Sequence, residues 1–241
     1  MINAVAIIRV SEQGMTHPFI CKGEDGNVYY CKGNHTGIKA LRCEWMCANI
    51  AKILGLPIPD FTIMEVSLDL FDAWQNARRD CIDQFVTQEN NFVFASKKIR
   101  NVNDVQDANG LQKFLNRAEM ARILMFDKLI RNVDRADFNS NILITNGESE
   151  RVCYIIDHNM AFDPDFEIKE FMSCHVLRDY YSGIDDATKN DFLQRVRDLV
   201  TTSFLDDMWN RMPEVWQDGI YDDVAVTLDN IKEAIKEGVE V

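Results

Sequence analysis

Short apolar runs separated by turn residues dominate the first hundred positions of the chain and predict a small β-sheet. Runs rich in β-branched and aromatic residues predict strands at residues 5–10, 19–22, 28–32 and 61–66. The sequence GEDGN at residues 23–27 joins the second and third runs and is typical of a hairpin turn. A further apolar stretch at residues 91–95 predicts an extended segment at the end of this β-rich part.

Helical periodicity occurs once within this region and dominates after it. Apolar residues at helical spacing predict a helix at residues 41–54, which ends at Gly55 because Pro57 and Pro59 follow. Residues 67–89 are polar, and we expect them to be helical in part. Stripes of period 3.6 then predict helices at residues 110–131, 188–204 and 222–236. A β-rich head therefore precedes a mainly helical body, which predicts an α+β fold.

The charge of the chain restricts the partners that we expect. The sequence has 26 Lys and Arg against 39 Asp and Glu, a net charge of −13, and the acidic residues are spread along the chain. Such a surface repels nucleic-acid backbones and anionic lipids, which disfavours general nucleic-acid binding and membrane binding. The seven cysteines contain no CxxC pair and favour reduced thiols, and no long apolar segment or cleavable leader is recognisable. We therefore expect a cytoplasmic protein.

A short hairpin interrupts the helical body and has polar side chains at both of its ends. Its strands are predicted at residues 141–145 and 151–156. An Asn-Gly turn at residues 146–147 joins them. Asp134 and Asn139 precede the hairpin, and Asp157 follows it directly. Because the two ends of a hairpin lie side by side, we expect these three side chains to be close together in space.

Phosphoryl transfer requires this kind of cluster. Mg²⁺ ions are held by hard oxygen ligands, and an acidic group orients the attacking hydroxyl. An Asp five residues before an Asn, followed by a hairpin and a second Asp, supplies these oxygens in the order that kinases use. On this template Asp134 orients or deprotonates the acceptor hydroxyl, Asn139 binds Mg²⁺, and Asp157 bridges the metal and the phosphates.

The alternative explanation is that Asn and Asp are frequent in loops, where their side chains bond the nearby backbone and cap helices. Any one of the three residues could be such a turn former. Their joint spacing favours the metal site, because Ile155 and Ile156 end a buried strand directly at Asp157. A carboxylate buried there without a cation would be unfavourable.

The segments NVDRADFN at residues 132–139 and IDHNMAF at residues 156–162 resemble the catalytic and metal-binding segments of HipA-like kinases. Members of that family read approximately N-x-D-R-H-x-x-N and then I-D-H-G-x-A-F. The chain keeps Asn132, Asp134, Arg135, Asn139, Asp157, His158, Ala161 and Phe162. It departs at Ala136, where the family usually has His, and at Asn159, where Gly is common.

The resemblance implies a protein-kinase-like bilobal fold, with a small β-rich N-lobe carrying one helix and a larger, mainly helical C-lobe. It also implies ATP and Mg²⁺ as cofactors. We place the N-lobe at residues 1–95 and the C-lobe at residues 96–241. The resemblance covers residues 5–165, and residues 166–241 predict helices without a motif that we can interpret.

The N-terminal part of the chain fits the same family. Lys32, at the end of the third predicted strand, resembles the strand lysine that holds the phosphates of ATP, and Glu44 stands where its ion-pair partner is expected. Lys22 occupies the same place on the preceding strand, and we prefer Lys32 because it precedes the helix that carries Glu44. Glu44 lies outside the apolar stripe of that helix, so a solvent-facing position is the alternative.

Two further segments are nucleotide-site candidates. Phe94 and Ala95, in the stretch FVFASKKIR at residues 92–100, are our hinge candidates, whose backbone groups would contact adenine. The turn between the first two strands stands where a phosphate-covering loop belongs, although a plain β-turn explains it nearly as well. The family resemblance suggests Ser11 or Thr16 in that turn as a phosphorylation position.

Three functions are compatible with these residues. The first is a kinase that phosphorylates Ser or Thr of a protein, and we prefer it because of the family resemblance. The second is a kinase that acts on a small molecule or a lipid. The third is a nucleotide-binding pseudokinase, or a partner in a toxin–antitoxin pair without transfer activity, in which Ala136 marks the loss of activity. A protein substrate and an antitoxin-like protein are accordingly the expected partners.

Overall fold

The computed structural model describes most of the chain. The described residues are 1–12, 16–78, 84–104, 108–137, 139–145, 153–217 and 226–240. The Asn-Gly turn predicted at residues 146–147, and the predicted beginning of a helix at residue 222, lie outside them. The chain divides into two compact units. The first comprises Met1–Trp45, Pro59–Lys98 and Met212–Ala225, and the second comprises Met46–Ile58, Ile99–Arg211 and Val226–Val241.

A closed β-barrel forms the main part of the first unit. Its strands are β1 (Ile2–Val10), β2 (Phe19–Gly23), β3 (Val28–Lys32), β4 (Phe61–Glu65) and β5 (Phe92–Lys97), joined in the order β1-β2-β3-β5-β4. Neighbouring strands are antiparallel, except that β1 and β4 meet in a short parallel pairing of Ile2 with Met64. A helix, α1 (Ile38–Ile53), lies between β3 and β4 in the sequence, so the predicted order of strand, strand, strand, helix, strand is confirmed.

Aromatic side chains fill the core of the first unit. Phe19 of β2 stacks on Phe85 with a distance of 3.8 Å between ring centroids. Phe71 of α2 (Leu68–Arg78) approaches Phe19 edge-on at 6.2 Å. Gly33, which follows β3, permits a close approach of the Phe85 backbone, because a Cβ at this position would lie 2.2 Å from the Phe85 carbonyl oxygen. The connection from β3 to α1 is therefore packed directly against this aromatic core.

A three-stranded sheet and several helices make up the second unit. The sheet is antiparallel, in the order β6 (Val102–Asp104), β7 (Ile142–Thr145) and β8 (Cys153–Ile155). The helices that follow α2 in the sequence are α3 (Ala108–Leu111), α4 (Arg117–Leu129), α5 (Ile168–Cys174), α6 (Asp186–Leu199), α7 (Thr202–Asn210), α8 (Glu214–Gln217) and α9 (Leu228–Glu240). Of these, α8 belongs to the first unit. The predicted pairing of the strands around residue 147 is confirmed by β7 and β8.

Two predicted helices are each divided in the structure, and our single-helix predictions for residues 110–131 and 188–204 were wrong. In the first, Asn116 begins α4 with a capping box, in which its Oδ1 accepts from Glu119 N at 2.9 Å and its own N–H donates to Glu119 at 2.8 Å. In the second, Thr201 begins α7 by accepting from Phe204 N at 3.2 Å. Polar N-cap side chains thus start a new helix although the apolar stripe continues past them.

Two further observations concern the described residues. No helix among them combines the length and the apolar character needed to cross a bilayer. The cysteines among them, which are Cys21, Cys31, Cys43, Cys47, Cys153 and Cys174, are free thiols.

Candidate active site

The loop between α4 and β7 brings two amide side chains to one carboxylate. Asn139 Nδ2 donates to Asp134 Oδ1 at 3.0 Å and to the Asp134 main-chain oxygen at 3.2 Å. Asn141 Nδ2 donates to the other carboxylate oxygen, Asp134 Oδ2, at 3.0 Å. The predicted residues Asp134 and Asn139 are therefore in direct contact. Asn141 is a third member of the cluster that we did not predict, although it lies in the same Asn-rich loop.

Asp157 lies two residues beyond the end of β8, and its charge acts on the Asp134 carboxylate. Its backbone has a φ of 60°, in the left-handed region that Asp adopts more readily than most residues. Burial raises the pKa of the Asp134 carboxyl, and the negative charge of Asp157 raises it further. Asn139 therefore bonds Asp134 directly, and Asp157 lies close enough for its charge to act on Asp134.

Asn159, where the family commonly has Gly, does not strain the backbone. The described residues with a positive φ in this segment are Asp157 and Phe162, and Asn159 is not among them. Position 159 therefore does not require glycine. The Oδ1 atom of Asn159 is buried and accepts no hydrogen bond from the described residues. An amide oxygen without a donor, two residues from Asp157, is suited to a cation or to a ligand that donates a hydrogen bond.

A buried ion pair lies beneath the loop. Asp127 of α4 and Arg135 have no exposed side-chain surface, and Arg135 Nε donates to Asp127 Oδ2 at 2.6 Å. The guanidinium also donates to the main-chain oxygens of Ser140 at 2.9 Å and Asn141 at 2.7 Å. It reaches the Ile156 oxygen more weakly, at 3.5 Å. Arg135 therefore ties together the two chain segments that carry Asn139 and Asp157.

Asp127 accepts two more hydrogen bonds, one from Asn132 and one from His175. Asn132 Nδ2 donates at 3.1 Å and His175 Nε2 donates at 3.0 Å. Burial opposes the ionised form, but the Arg135 charge and the His175 hydrogen bond outweigh it and hold the pKa of Asp127 well below its usual range. Asp127 was missing from our predicted site. Its only sequence signal was a single acidic residue within the apolar stripe of α4.

Two buried histidines complete the support, and their partners assign their tautomers. Leu177 N–H donates to His175 Nδ1 at 3.1 Å, so the proton that His175 donates to Asp127 lies on Nε2. Arg135 can only donate, so His158 Nε2, at 3.3 Å from Arg135 Nη2, accepts and the His158 proton lies on Nδ1. Ala136, where the family usually has His, pairs through its backbone with His175.

The donor set of this site fits a divalent cation. Asn139 and Asp157 would hold the ion, and a positive charge there would relieve the repulsion that raises the pKa of Asp134. Within the described residues, no cluster of three or more His, Cys, Asp or Glu side chains converges as a self-sufficient metal cage. Mg²⁺ is commonly bound through one or two carboxylates together with nucleotide phosphates. The site therefore fits a divalent cation that completes its coordination with the phosphates of a ligand.

In the first unit, Lys32 and Glu44 form the expected ion pair. Lys32 Nζ lies 2.5 Å from Glu44 Oε1, and the two side chains are only 12% and 4% exposed. A solvent-facing position for Glu44 is thereby excluded. Lys22, the alternative lysine, is exposed on β2. Lys32 is therefore the better candidate for a phosphate contact, because its charge is held in one place by a buried carboxylate.

The hinge prediction needs correction. Phe94 and Ala95 lie inside β5, where they pair with β3 on one side and with β4 on the other. The sheet therefore occupies the backbone groups that we expected to contact adenine.

Ser11, a predicted phosphorylation position, is only 4% exposed, and its N–H donates to the Pro18 oxygen at 2.8 Å. A kinase could therefore not reach the Ser11 hydroxyl without a local change of structure. The neighbouring residues 13–15 lie outside the described residues.

Comparisons with known proteins agree with the fold. The family model of HipA-like kinases matches residues 4–240. Among solved structures, the chain is similar to a proinflammatory kinase, CtkA, of Helicobacter pylori, with a TM-score of 0.57 and 11% identity over 100% of this chain and 94% of that chain. It is also similar to the Golgi casein kinase with Mn and ADP bound, with a TM-score of 0.53 and 11% identity over 100% of this chain and 72% of that chain. No curated protein sequence matches the chain. At such identities the solved structures establish a kinase-like fold and nothing finer.

Proposed function

Since the chain belongs to the HipA-like kinase family, we propose that it uses ATP and Mg²⁺ to phosphorylate Ser or Thr side chains of a protein. The observation that carries this proposal is the cluster in which Asn139 and Asn141 hold both carboxylate oxygens of Asp134 beside the charge of Asp157. A nucleotide and a divalent metal are further supported by the Golgi casein kinase structure, which contains Mn and ADP.

Asp134 and Asp157 would have different roles in the transfer. Asp157 and Asn139 would hold Mg²⁺, which neutralises charge on the nucleotide phosphates when it is bound. Asp134 would accept a hydrogen bond from the acceptor hydroxyl and take its proton as the oxygen attacks the γ-phosphorus and the bond to ADP breaks. Its raised pKa favours that role, because a carboxylate with a higher pKa is a stronger base. The products are ADP and a phosphorylated side chain.

The Lys32–Glu44 ion pair of the first unit would contribute to nucleotide binding. Lys32 would contact the phosphates, and Glu44 would keep the Lys32 ammonium group ordered. The buried network of Asp127, Arg135 and His175 would hold the loop in place without contacting the reacting atoms.

A labelling experiment tests the proposal. The chain is incubated with Mg²⁺, ATP labelled at the γ-phosphate and a cell lysate, beside an Asp157→Ala variant. We expect labelled protein bands with the wild type and none above background with the variant. Acid hydrolysis of those bands should release phosphoserine or phosphothreonine.

Other outcomes would replace the proposal. Label in small molecules or lipids, with none in protein, would identify a small-molecule or lipid kinase. No transfer and no ATP hydrolysis, while MgATP still raises the melting temperature, would identify a nucleotide-binding pseudokinase. If neither ATP nor Mg²⁺ changes the melting temperature or the labelling, the nucleotide site itself is refuted.

A further inference from the structure

The segment after α7 carries no motif, yet it belongs to the first unit. Met212–Ala225 is assigned there, whereas the residues before it and after it belong to the second unit. The described part of the segment is compact. The main-chain N–H of Trp216 donates to the Pro213 oxygen at 2.9 Å, and Gln217 Nε2 donates to the Met212 oxygen at 2.8 Å. Trp216 at its centre is fully buried. A large, fully buried aromatic side chain from late in the chain thus belongs to the first unit.

Trp216 is bonded to α1 through its backbone. Arg42 of α1 is 1% exposed, and its Nε atom donates to the Trp216 main-chain oxygen. Hydrogen bonds from a charged donor are stronger than those between neutral groups. Arg42 lies two residues before Glu44 on the same helix. A shift of the first turns of α1 would therefore leave a buried guanidinium and a buried carbonyl oxygen without this bond, which is unfavourable.

The indole of Trp216 is linked through Asn90 to Asn34, which lies between β3 and α1. Trp216 Nε1 donates to Asn90 Oδ1 at 3.3 Å, and Asn90 is 3% exposed. Asn90 Nδ2 in turn donates to Asn34 Oδ1, and Asn34 Nδ2 donates to the Asn90 main-chain oxygen at 2.9 Å. Asn34 lies two residues after Lys32. Trp216 is therefore connected to Asn34, two residues after Lys32, and to Arg42, two residues before Glu44.

We propose that Trp216 is a positioning residue that holds α1 and the connection from β3, so that Glu44 stays in contact with Lys32. The inference rests on the proposed function, because that function assigns the nucleotide-phosphate contact to Lys32. It gives the C-terminal part of the chain a role in nucleotide binding, although Trp216 itself need not touch the nucleotide.

Three variants test the inference, with the affinity for MgATP measured by titration calorimetry. Trp216→Phe removes the indole N–H and keeps an aromatic ring, and Arg42→Met removes the guanidinium and keeps the length of the side chain. Trp209→Phe is the matched control, since Trp209 is 9% exposed and lies on α7 in the second unit. We expect the first two variants to weaken MgATP binding roughly three- to tenfold. The control should stay within about twofold of the wild type even if its melting temperature falls.

Hydrogen exchange adds a readout that separates positioning from general stability. Amide exchange in the first half of α1 should accelerate in Trp216→Phe and Arg42→Met and remain unchanged in Trp209→Phe. If Arg42→Met does not fold, Trp216→Phe decides the question alone. Wild-type MgATP affinity in Trp216→Phe, at a lowered melting temperature, would show that the segment only stabilises the fold and would overturn the inference. Equal weakening in the Trp209→Phe control would overturn it as well. If the wild type binds no MgATP, the proposed function fails first and the inference fails with it.

Discussion

Replacing Asp127 by Asn tests how the loop that carries Asp134 and Asn139 is held. The substitution keeps the size of the side chain but removes its charge and presents an NH₂ group toward neighbours that donate hydrogen bonds. The buried guanidinium of Arg135 then loses its ion-pair partner, and the donors of Asn132 and His175 share one remaining oxygen. Carbonyl oxygens still surround Arg135, but they do not replace a full negative charge.

The magnitude follows from the burial of the pair. Both side chains are fully buried, and removing one partner of such a pair lowers the free energy of unfolding by about 3–5 kcal/mol. In a chain of this size, the melting temperature should fall by roughly 6–20 °C. Urea denaturation followed by circular dichroism measures the change, with an unchanged m-value as a check that the unfolded state is the same. Asp206→Asn is the control, because its carboxylate pairs with Lys232 at the surface, and the loss should stay below about 1 kcal/mol.

Acid denaturation gives a second measurement on the same pair. The pKa of Asp127 is lower in the folded protein than in the unfolded chain, so the pair's contribution is complete above the unfolded value of about 3.9 and is lost as the pH falls below it. The wild type should therefore lose stability more steeply than Asp127→Asn below about pH 4. If Asp127→Asn changes the free energy of unfolding by less than about 1 kcal/mol at pH 7, the ion pair does not support the loop as argued.

Two further substitutions test the first unit. Glu44→Gln should weaken MgATP binding roughly tenfold, because the buried partner lysine loses its counter-charge, whereas Asp60→Asn, at an exposed lysine pair, should leave the affinity unchanged. Equal affinities for the Glu44→Gln variant and the wild type would remove this pair from the nucleotide site. Gly33→Ala should lower stability by about 1–3 kcal/mol in urea denaturation, because its Cβ would lie 2.2 Å from the Phe85 carbonyl oxygen. Gly183→Ala meets only the flexible end of an arginine side chain at 3.2 Å, and a loss as large there would refute the steric argument.

The strands of the first unit were predictable because each is a short apolar run bounded by turn residues. The helices were less predictable, since an apolar stripe reports which side is buried and not where a helix starts. Asn116 and Thr201 begin new helices by accepting backbone hydrogen bonds while the stripe continues past them. The hinge prediction failed for a related reason. The polar residues Ser96 and Lys97 extend β5 beyond its apolar part, so Phe94 lies inside the strand and not after it.

The contacts within the site were predictable only between residues that lie close together in the sequence. Asp134 and Asn139 are five residues apart in one loop, and their spacing was enough to predict that they meet. The support of that loop depends on His175, which reaches Asp127 across 48 residues of sequence. No local pattern reports such a contact, because a buried polar residue in a single sequence looks the same as an exposed one. Sequence reasoning therefore found the residues proposed for the chemistry, and it found Arg135 through the family resemblance, but it missed Asp127 and His175.

The most direct test of the site is a calorimetric titration of MgATP into the wild type, Asp157→Ala and Asp134→Asn. Asp157→Ala should lose Mg-dependent binding, because it removes the carboxylate proposed for the metal. Asp134→Asn should bind MgATP like the wild type and lose only turnover, because its proposed contact is with the acceptor hydroxyl. Equal loss of MgATP affinity in both variants, or full affinity in Asp157→Ala, would contradict the division of roles on which the proposed kinase site depends.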